Sequence, residues 1–302
     1  MQTSSRFTAA IVLLVFAVIG SVTVTRASAT GGIDFAEMRE QALFAAAAYR
    51  DEAAVRAMLE GSDFRLTLWR NIPGIEVAFF VATDARARRQ VVAVRGTANV
   101  ENAMLDVALK LRLNERTGLF LHEGFALAAD RVYEALRPVL EPGYEIRVTG
   151  HSLGGAVATI LAAYLAADGM RPGRTITFGQ PKVTNVAGAA KIGELGVLRV
   201  VEEDDLVPVV PLFDPLDINN VDLYWHAGTE VVLLDGTHYA LLEGTASMMR
   251  ATRFTQKPLT EEHLHKHDMA AYLALIDRRL SGAEQVSYKT DLNLFNLFGG
   301  GE

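Results

Sequence analysis

Short alternating runs of hydrophobic and polar residues are interleaved along this chain with longer stretches of helical spacing. Phe35 to Leu59 is alanine-rich with apolar positions at helical intervals, which predicts one long packing helix. Three strand-like runs follow, Phe64 to Trp69, Ile75 to Thr83 and Gln90 to Val94, bounded by turn or polar residues. Val107 to Leu113 alternates and returns through Asn114 to Gly118 into Leu119 to Leu121, the pattern of a hairpin. Glu123 to Leu136 reads as a helix that stops before Pro138. Beyond it lie a strand ending at Val148, a helix from Leu153 to Ala167, a strand at Thr175 to Phe178, a helix near Asn185 to Leu195 and a strand at Val197 to Val201. Two strands near Val221 to Tyr224 and Thr229 to Leu234 come next. The last clear helix, Asp268 to Leu280, carries Met269, Tyr272, Leu273, Ile276 and Leu280 on one face. Strands alternating with helices predict an α/β fold with a central, mainly parallel sheet flanked by helices and antiparallel strands added before it.

The junction between Tyr144 and Ala167 carries the chemistry. Tyr144, Ile146 and Val148 alternate with Glu145 and Arg147, the run ends at Gly150-His151-Ser152-Leu153-Gly154-Gly155, and an uncharged helix follows at once. This is the layout of a nucleophile elbow, in which the chain turns so sharply that small residues are needed two places either side of a strained serine. Gly150 and Gly154 meet that need. The turn lifts the hydroxyl above the sheet edge and aims a helix N-terminus at the place where an oxyanion would form. A glycine-rich junction with a bystander serine would share the five-residue pattern, but not the alternating strand before it and the buried helix after it.

A serine hydroxyl requires a histidine base oriented by a carboxylate, and on such an elbow the acid and then the histidine come later in the chain. His226, His238, His263, His265 and His267 all lie downstream. His267 is best placed, late in the chain and just before a helix that Asp268 can cap. Asp204 and Asp205 both follow the strand Val197 to Val201 at its C-terminal end, the edge from which the elbow also projects, and this logic alone does not choose between them.

Composition narrows the setting. Half of the 302 residues are hydrophobic, enough for one large core and short for two complete domains. Arg6, the apolar run Ala9 to Ile19 and the Ala27-Ser28-Ala29 site predict a secretory signal over residues 1–29, with an uncleaved membrane anchor as the rival. Residues 30–280 are then the catalytic domain and 281–302 a C-terminal tail, whose apolar stretch Leu292 to Phe298 reads as a docked terminus. Removing Arg6 and Arg26 leaves 27 basic against 36 acidic residues and moves the formal charge from −7 to −9, which argues against nucleic acid and anionic lipid as electrostatic partners. The chain has no cysteine, so disulfides, a thiolate nucleophile and a cysteine zinc site are excluded.

Several blocks beyond the serine resemble the class 3 (fungal-type) lipase family, an α/β-hydrolase group. They are Val92 to Thr97 (VAVRGT), His122 to Phe125 (HEGF), the elbow block Val148 to Ala156, Thr177 to Pro181 (TFGQP), Asp205 to Pro208 (DLVP), His226 to Glu230 (HAGTE) and His267 to Tyr272 (HDMAAY). The seven blocks run in family order from Val92 to Tyr272, a span that is most of the chain after the signal. The resemblance implies an α/β-hydrolase-like fold with a short lid, Ser152 as nucleophile, Asp205 as orienting acid, His267 as base, and Thr97 with the Leu153 backbone N–H as the oxyanion hole. It implies a secreted hydrolase of lipid carboxylic esters working through an acyl-enzyme, with no metal or organic cofactor, a lipid or other ester as partner and transient contact with a lipid interface. Phospholipase A1 and non-lipid carboxylesterase are the neighbouring alternatives on the same scaffold, and a catalytically silent binding protein is the alternative of another class. One departure stands out. Ala98 to Asp106, where the lid would lie, lacks the tryptophan many members have, which predicts weak interfacial activation.

The remaining polar residues carry plainer readings. His122 and His226 read as packed, hydrogen-bonded histidines. His263, His265 and His267 could face one side of an extended segment, but their spacing matches no recognisable zinc ligand set. Arg95 reads as an ion-pair partner and Asp106 as a hydrogen-bond acceptor in the lid.

Overall fold

The computed structural model describes residues 33–75, 77–96, 110–170, 172–211, 223–252 and 265–288. The signal segment, Thr97, the lid stretch Ala98 to Asp106, His263 and the apolar stretch Leu292 to Phe298 lie outside the described residues.

The predicted N-terminal helix is two helices, α1 (Phe35–Ala47) and α2 (Glu52–Leu59). Asp51 causes the break, because its carboxylate accepts the Ala54 N–H at 2.8 Å and starts a new helix instead of continuing the old one. Strands β1 (Arg65–Ile72), β2 (Val77–Asp84) and β3 (Arg89–Val94) form an antiparallel meander. The predicted hairpin is β4 (Leu111–Asn114) with β5 (Leu119–His122). Helix α3 (Glu123–Leu136) ends in a 3-10 turn at Arg137–Val139. Strand β6 (Glu145–His151) leads into α4 (Leu153–Ala167) and then β7 (Pro172–Phe178). The short β8 (Thr184–Asn185) precedes α5 (Val186–Gly193) and β9 (Leu198–Glu202).

After β9 come β10 (Tyr224–Trp225), β11 (Thr229–Leu233), β12 (His238–Leu242), α6 (Gly244–Thr252), α7 (Met269–Arg279) and β13 (Glu284–Gln285). Among the described residues the main sheet has the order β1-β2-β3-β6-β7-β9-β11-β12-β13, and β10-β8-β5-β4 form a smaller sheet. The run from β3 to β11 is parallel, as the alternation of strands and helices predicts. Antiparallel β12 on the far side was not anticipated, and β13 lies within the segment expected to be a tail.

Both faces of the sheet are covered, and strand periodicity divides the core. Phe79, Val81, Val92 and Val94 point into one cluster with α3 and α4. Their chain neighbours Phe80, Ala82, Val91 and Ala93 point into the other, with Phe44, Ala47, Val55 and Leu59 of α1 and α2. Helix α4 buries almost its whole length, which is why its sequence carries no charge. One prediction fails on α7: Leu280 is 46% exposed while Arg279 is buried, its guanidinium donating to the carbonyls of Leu234 and His238. Periodicity ranks a leucine above an arginine, but two inward-facing carbonyls reverse that order.

Candidate active site

Strand β6 runs straight into the serine. Ser152 has φ 58° and ψ −131°, a left-handed conformation that costs a non-glycine residue about 1–3 kcal/mol. Its backbone N–H donates to Phe178 O at 2.9 Å, tying the elbow to the end of β7. The flanking glycines are a packing necessity: a Cβ on Gly150 would collide with the Gly154 carbonyl, and one on Gly154 with the Val94 carbonyl at the end of β3. Leu153 is the first residue of α4, so its N–H is among the helix donors without an intrahelical acceptor.

Two loops meet the elbow from the same edge. Asp205 follows β9 in a tight turn, where its Oδ1 accepts the Val207 N–H at 2.9 Å. Its Oδ2 lies 2.7 Å from His267 Nδ1, with Asp205 fully buried and His267 only 3% exposed. The other ring nitrogen of His267, Nε2, is buried and has no hydrogen-bond partner among the described residues. His267 is held at the elbow by its own carbonyl, which lies 2.6 Å from His151 Nε2, and its ring centre is 4.5 Å from that of His151. At the neighbouring Asp204 the backbone N–H donates to Glu202 Oε2 at 2.6 Å. The expected cap on α7 is absent: Asp268 occupies the N-cap position without a side-chain bond to the helix. Of the predicted site residues, Ser152, Leu153, Asp205 and His267 converge here, and Thr97 lies outside the described residues.

His122 and His226 are both buried, and the Nε2 of each has no hydrogen-bond partner among the described residues. His122 caps α3, its Nδ1 accepting the Phe125 N–H at 3.3 Å, and burial lowers its pKa to about 4. His226 is buried with an unpartnered Nε2, and burial, then Arg199, Lys182 and Arg250, hold it well below the ordinary imidazole value. Its expected hydrogen bond is therefore missing at that nitrogen. The sequence reading passed over Tyr49, His151 and Tyr272, all in contact with the site. His151 and Tyr272 sat inside quoted blocks, but only the helix break at Asp51 could have pointed to Tyr49.

The sequence model of the family described as "Lipase (class 3)" matches residues 91–214. Over those residues the chain is similar to class 3 lipases. Among curated relatives, "Secreted mono- and diacylglycerol lipase 1" of Fusarium solani is 35% identical over 144 residues, 45% of this chain and 43% of that protein. "Secreted mono- and diacylglycerol lipase A" of Penicillium cyclopium is 28% identical over 199 residues, 63% of this chain and 65% of that one. The chain thus spans 43% and 65% of the length of these two relatives. A crystal structure of a lipase from Rhizopus microsporus var. chinensis aligns with TM-score 0.57 at 26% identity, covering 70% of this chain and 76% of that one. A mutant form of MDLA from Penicillium cyclopium aligns with TM-score 0.64 at 24% identity, over 82% of this chain and all of that one. The α/β-hydrolase fold expected from the sequence is borne out.

Proposed function

We propose that this chain is a secreted serine hydrolase of lipid carboxylic esters. The observation that carries the reading is the Asp205 Oδ2 to His267 Nδ1 contact at 2.7 Å, brought to a strained serine elbow with the second ring nitrogen left unpartnered. Ser152 Oγ attacks the ester carbonyl carbon as its proton passes to His267 Nε2. The tetrahedral oxyanion is stabilised by Leu153 N–H and by Thr97, then collapses, and the alcohol leaves with the proton from His267. Water, deprotonated by His267, attacks the acyl-enzyme and releases the acid and the free serine. Asp205 holds the tautomer with hydrogen on Nδ1 and stabilises the imidazolium. No step requires a metal or organic cofactor.

The names of the two curated relatives favour mono- and diacylglycerols as substrates, and both are described as secreted, which favours export directed by residues 1–29. The test is a panel of mono-, di- and triacylglycerols, a phospholipid and a short-chain chromogenic ester, run with wild type and Ser152→Ala. Turnover falling by orders of magnitude in the variant, with phosphonate labelling at Ser152, is the expected result. Labelling at any other residue removes the nucleophile assignment. No hydrolysis of any ester by the wild type makes the chain a binding protein.

A further inference from the structure

The break between α1 and α2 does more than end a helix. It turns Tyr49 toward the elbow: the residue is 36% exposed, yet its hydroxyl points inward and lies 2.8 Å from His151 Nδ1. Gly96, the residue before Thr97, packs against the same hydroxyl: a Cβ there would lie 2.7 Å from it. His151 Nε2 reaches the carbonyl of His267 at 2.6 Å.

The polarity of this chain of bonds is fixed. A carbonyl oxygen only accepts, so His151 carries its hydrogen on Nε2. Burial, with His267 adding to it, holds His151 well below the ordinary imidazole value, so the ring is neutral and Nδ1 is a bare acceptor. Tyr49 must then donate to Nδ1. Both hydrogens point one way, from Tyr49 through His151 to His267, and reversing either leaves a nitrogen or carbonyl of the site unpaired.

We propose that Tyr49 and His151 form a strut that positions the catalytic base His267 and the chain entering the oxyanion residue against the nucleophile elbow. The proposal rests on the esterase reading above. Gly96 follows β3, His151 precedes the serine and His267 precedes α7, so three segments from distant points in the chain meet at one phenol and one imidazole. Neither Tyr49 nor His151 exchanges a proton with substrate. Both are positioning residues, and their loss acts on the turnover step rather than on binding.

The test is Tyr49→Phe, which keeps the ring and removes only the oxygen. With a soluble ester, kcat is expected to fall about tenfold while KM stays within about twofold, since small misplacement of reacting groups costs rate before affinity. His151→Gln keeps a donor for the His267 carbonyl and loses the link to Tyr49. It serves as the second variant if Tyr49→Phe does not fold, with the same split expected. The double variant is expected to fall no further than the worse single, as one strut is cut only once. An unchanged kcat in the folded variants, a rise in KM alone, or additive losses overturns the proposal. Nitrogen-15 histidine spectra of the full chain judge the strut without activity. They should show His151 with hydrogen on Nε2 alone and an Nδ1 resonance that shifts in Tyr49→Phe, and any other tautomer overturns it. A wild type that hydrolyses no ester, by contrast, defeats the functional reading whatever those spectra show.

Discussion

Tyr272 donates its phenol hydrogen to Asp205 Oδ2 at 2.6 Å. The same oxygen receives His267 Nδ1, so two donors fix the carboxylate in one orientation. Burial first, and then the Asp205 charge, push the Tyr272 phenol well above its ordinary value, so it stays protonated and keeps donating. The Glu202 N–H donates back to its oxygen at 3.2 Å, which anchors α7 to the end of β9. A hydrogen bond to a charged group contributes about 1.5–3 kcal/mol. Tyr272→Phe is therefore expected to lower the melting temperature and to reduce kcat about tenfold through a less constrained acid. Thermal melts and steady-state kinetics check both, and an unchanged kcat would show that the His267 bond alone orients Asp205.

The two neighbouring aspartates should separate cleanly. Asp205→Asn preserves the volume but presents an amide to His267 and favours the wrong tautomer, so kcat is expected to drop by a factor on the order of 10⁴. Asp204 makes no side-chain bond to His267, and Asp204→Asn should leave kcat within about twofold. Comparable losses in the two variants would mean that the acid had been assigned to the wrong residue.

Gly179 packs directly against the Asp205–His267 pair. It sits at the end of β7 with φ 57°, and a Cβ there would lie 2.7 Å from His267 Cε1 and 3.0 Å from Asp205 Oδ2. The neighbours are a ring and a carboxylate locked to each other, so neither can give way without breaking their bond. Gly179→Ala should fold with a lowered melting temperature and lose about 100-fold in kcat, the scale expected for displacing a reacting group by about an ångström. Full activity in that variant would mean that the imidazole has room to shift and still work.

Those residues also mark what could be read in advance. The elbow was legible because its demands are local: a strand, two glycines that backbone contact requires, and a helix too apolar to be exposed. The parallel sheet was legible from the alternation of periods. Asp205 and Asp204 were not separable by spacing, because the distinction depends on a turn in which Asp205 bonds its own loop and leaves Oδ2 for a histidine 62 positions away. The α1–α2 break was missed because alanine-rich helical spacing continues across it, and one capping aspartate outweighs that average. Strand β12 pairs antiparallel with β11 on one side and parallel with β13, beyond the last helix, on the other, and its short run His238 to Leu242 shows no alternation that would mark it. Buried charges such as Arg279 run against periodicity altogether, because what buries them is a set of carbonyls the chain places there only when folded.

Lys182 is the buried charge with the clearest measurable signature. It follows the Gly179-Gln180-Pro181 block, is 1% exposed, and its Nζ donates to the carbonyls of Val209 and Pro211 just beyond the acid loop. Arg199, Arg250 and His226 lie around it, with Glu230 as the opposing charge. Burial, and next Arg199, lower its pKa from 10.5 to about 7. Between those values the unfolded chain holds a proton that the folded chain has released, so unfolding takes up a proton and stability rises with pH across this window. Below about pH 7 both states are protonated, the slope vanishes, and the full cost of the buried ammonium is present. One pH unit inside the window corresponds to about 1.4 kcal/mol. Stability should therefore rise by roughly 2 kcal/mol more between pH 7 and 9 in wild type than in Lys182→Met. The two carbonyls that methionine leaves unbonded lower its stability by an amount that does not change with pH, so the difference in slope isolates the lysine. Thermal melts across a buffer series are the measurement, and parallel curves for the two proteins would mean that Lys182 keeps its proton inside the fold.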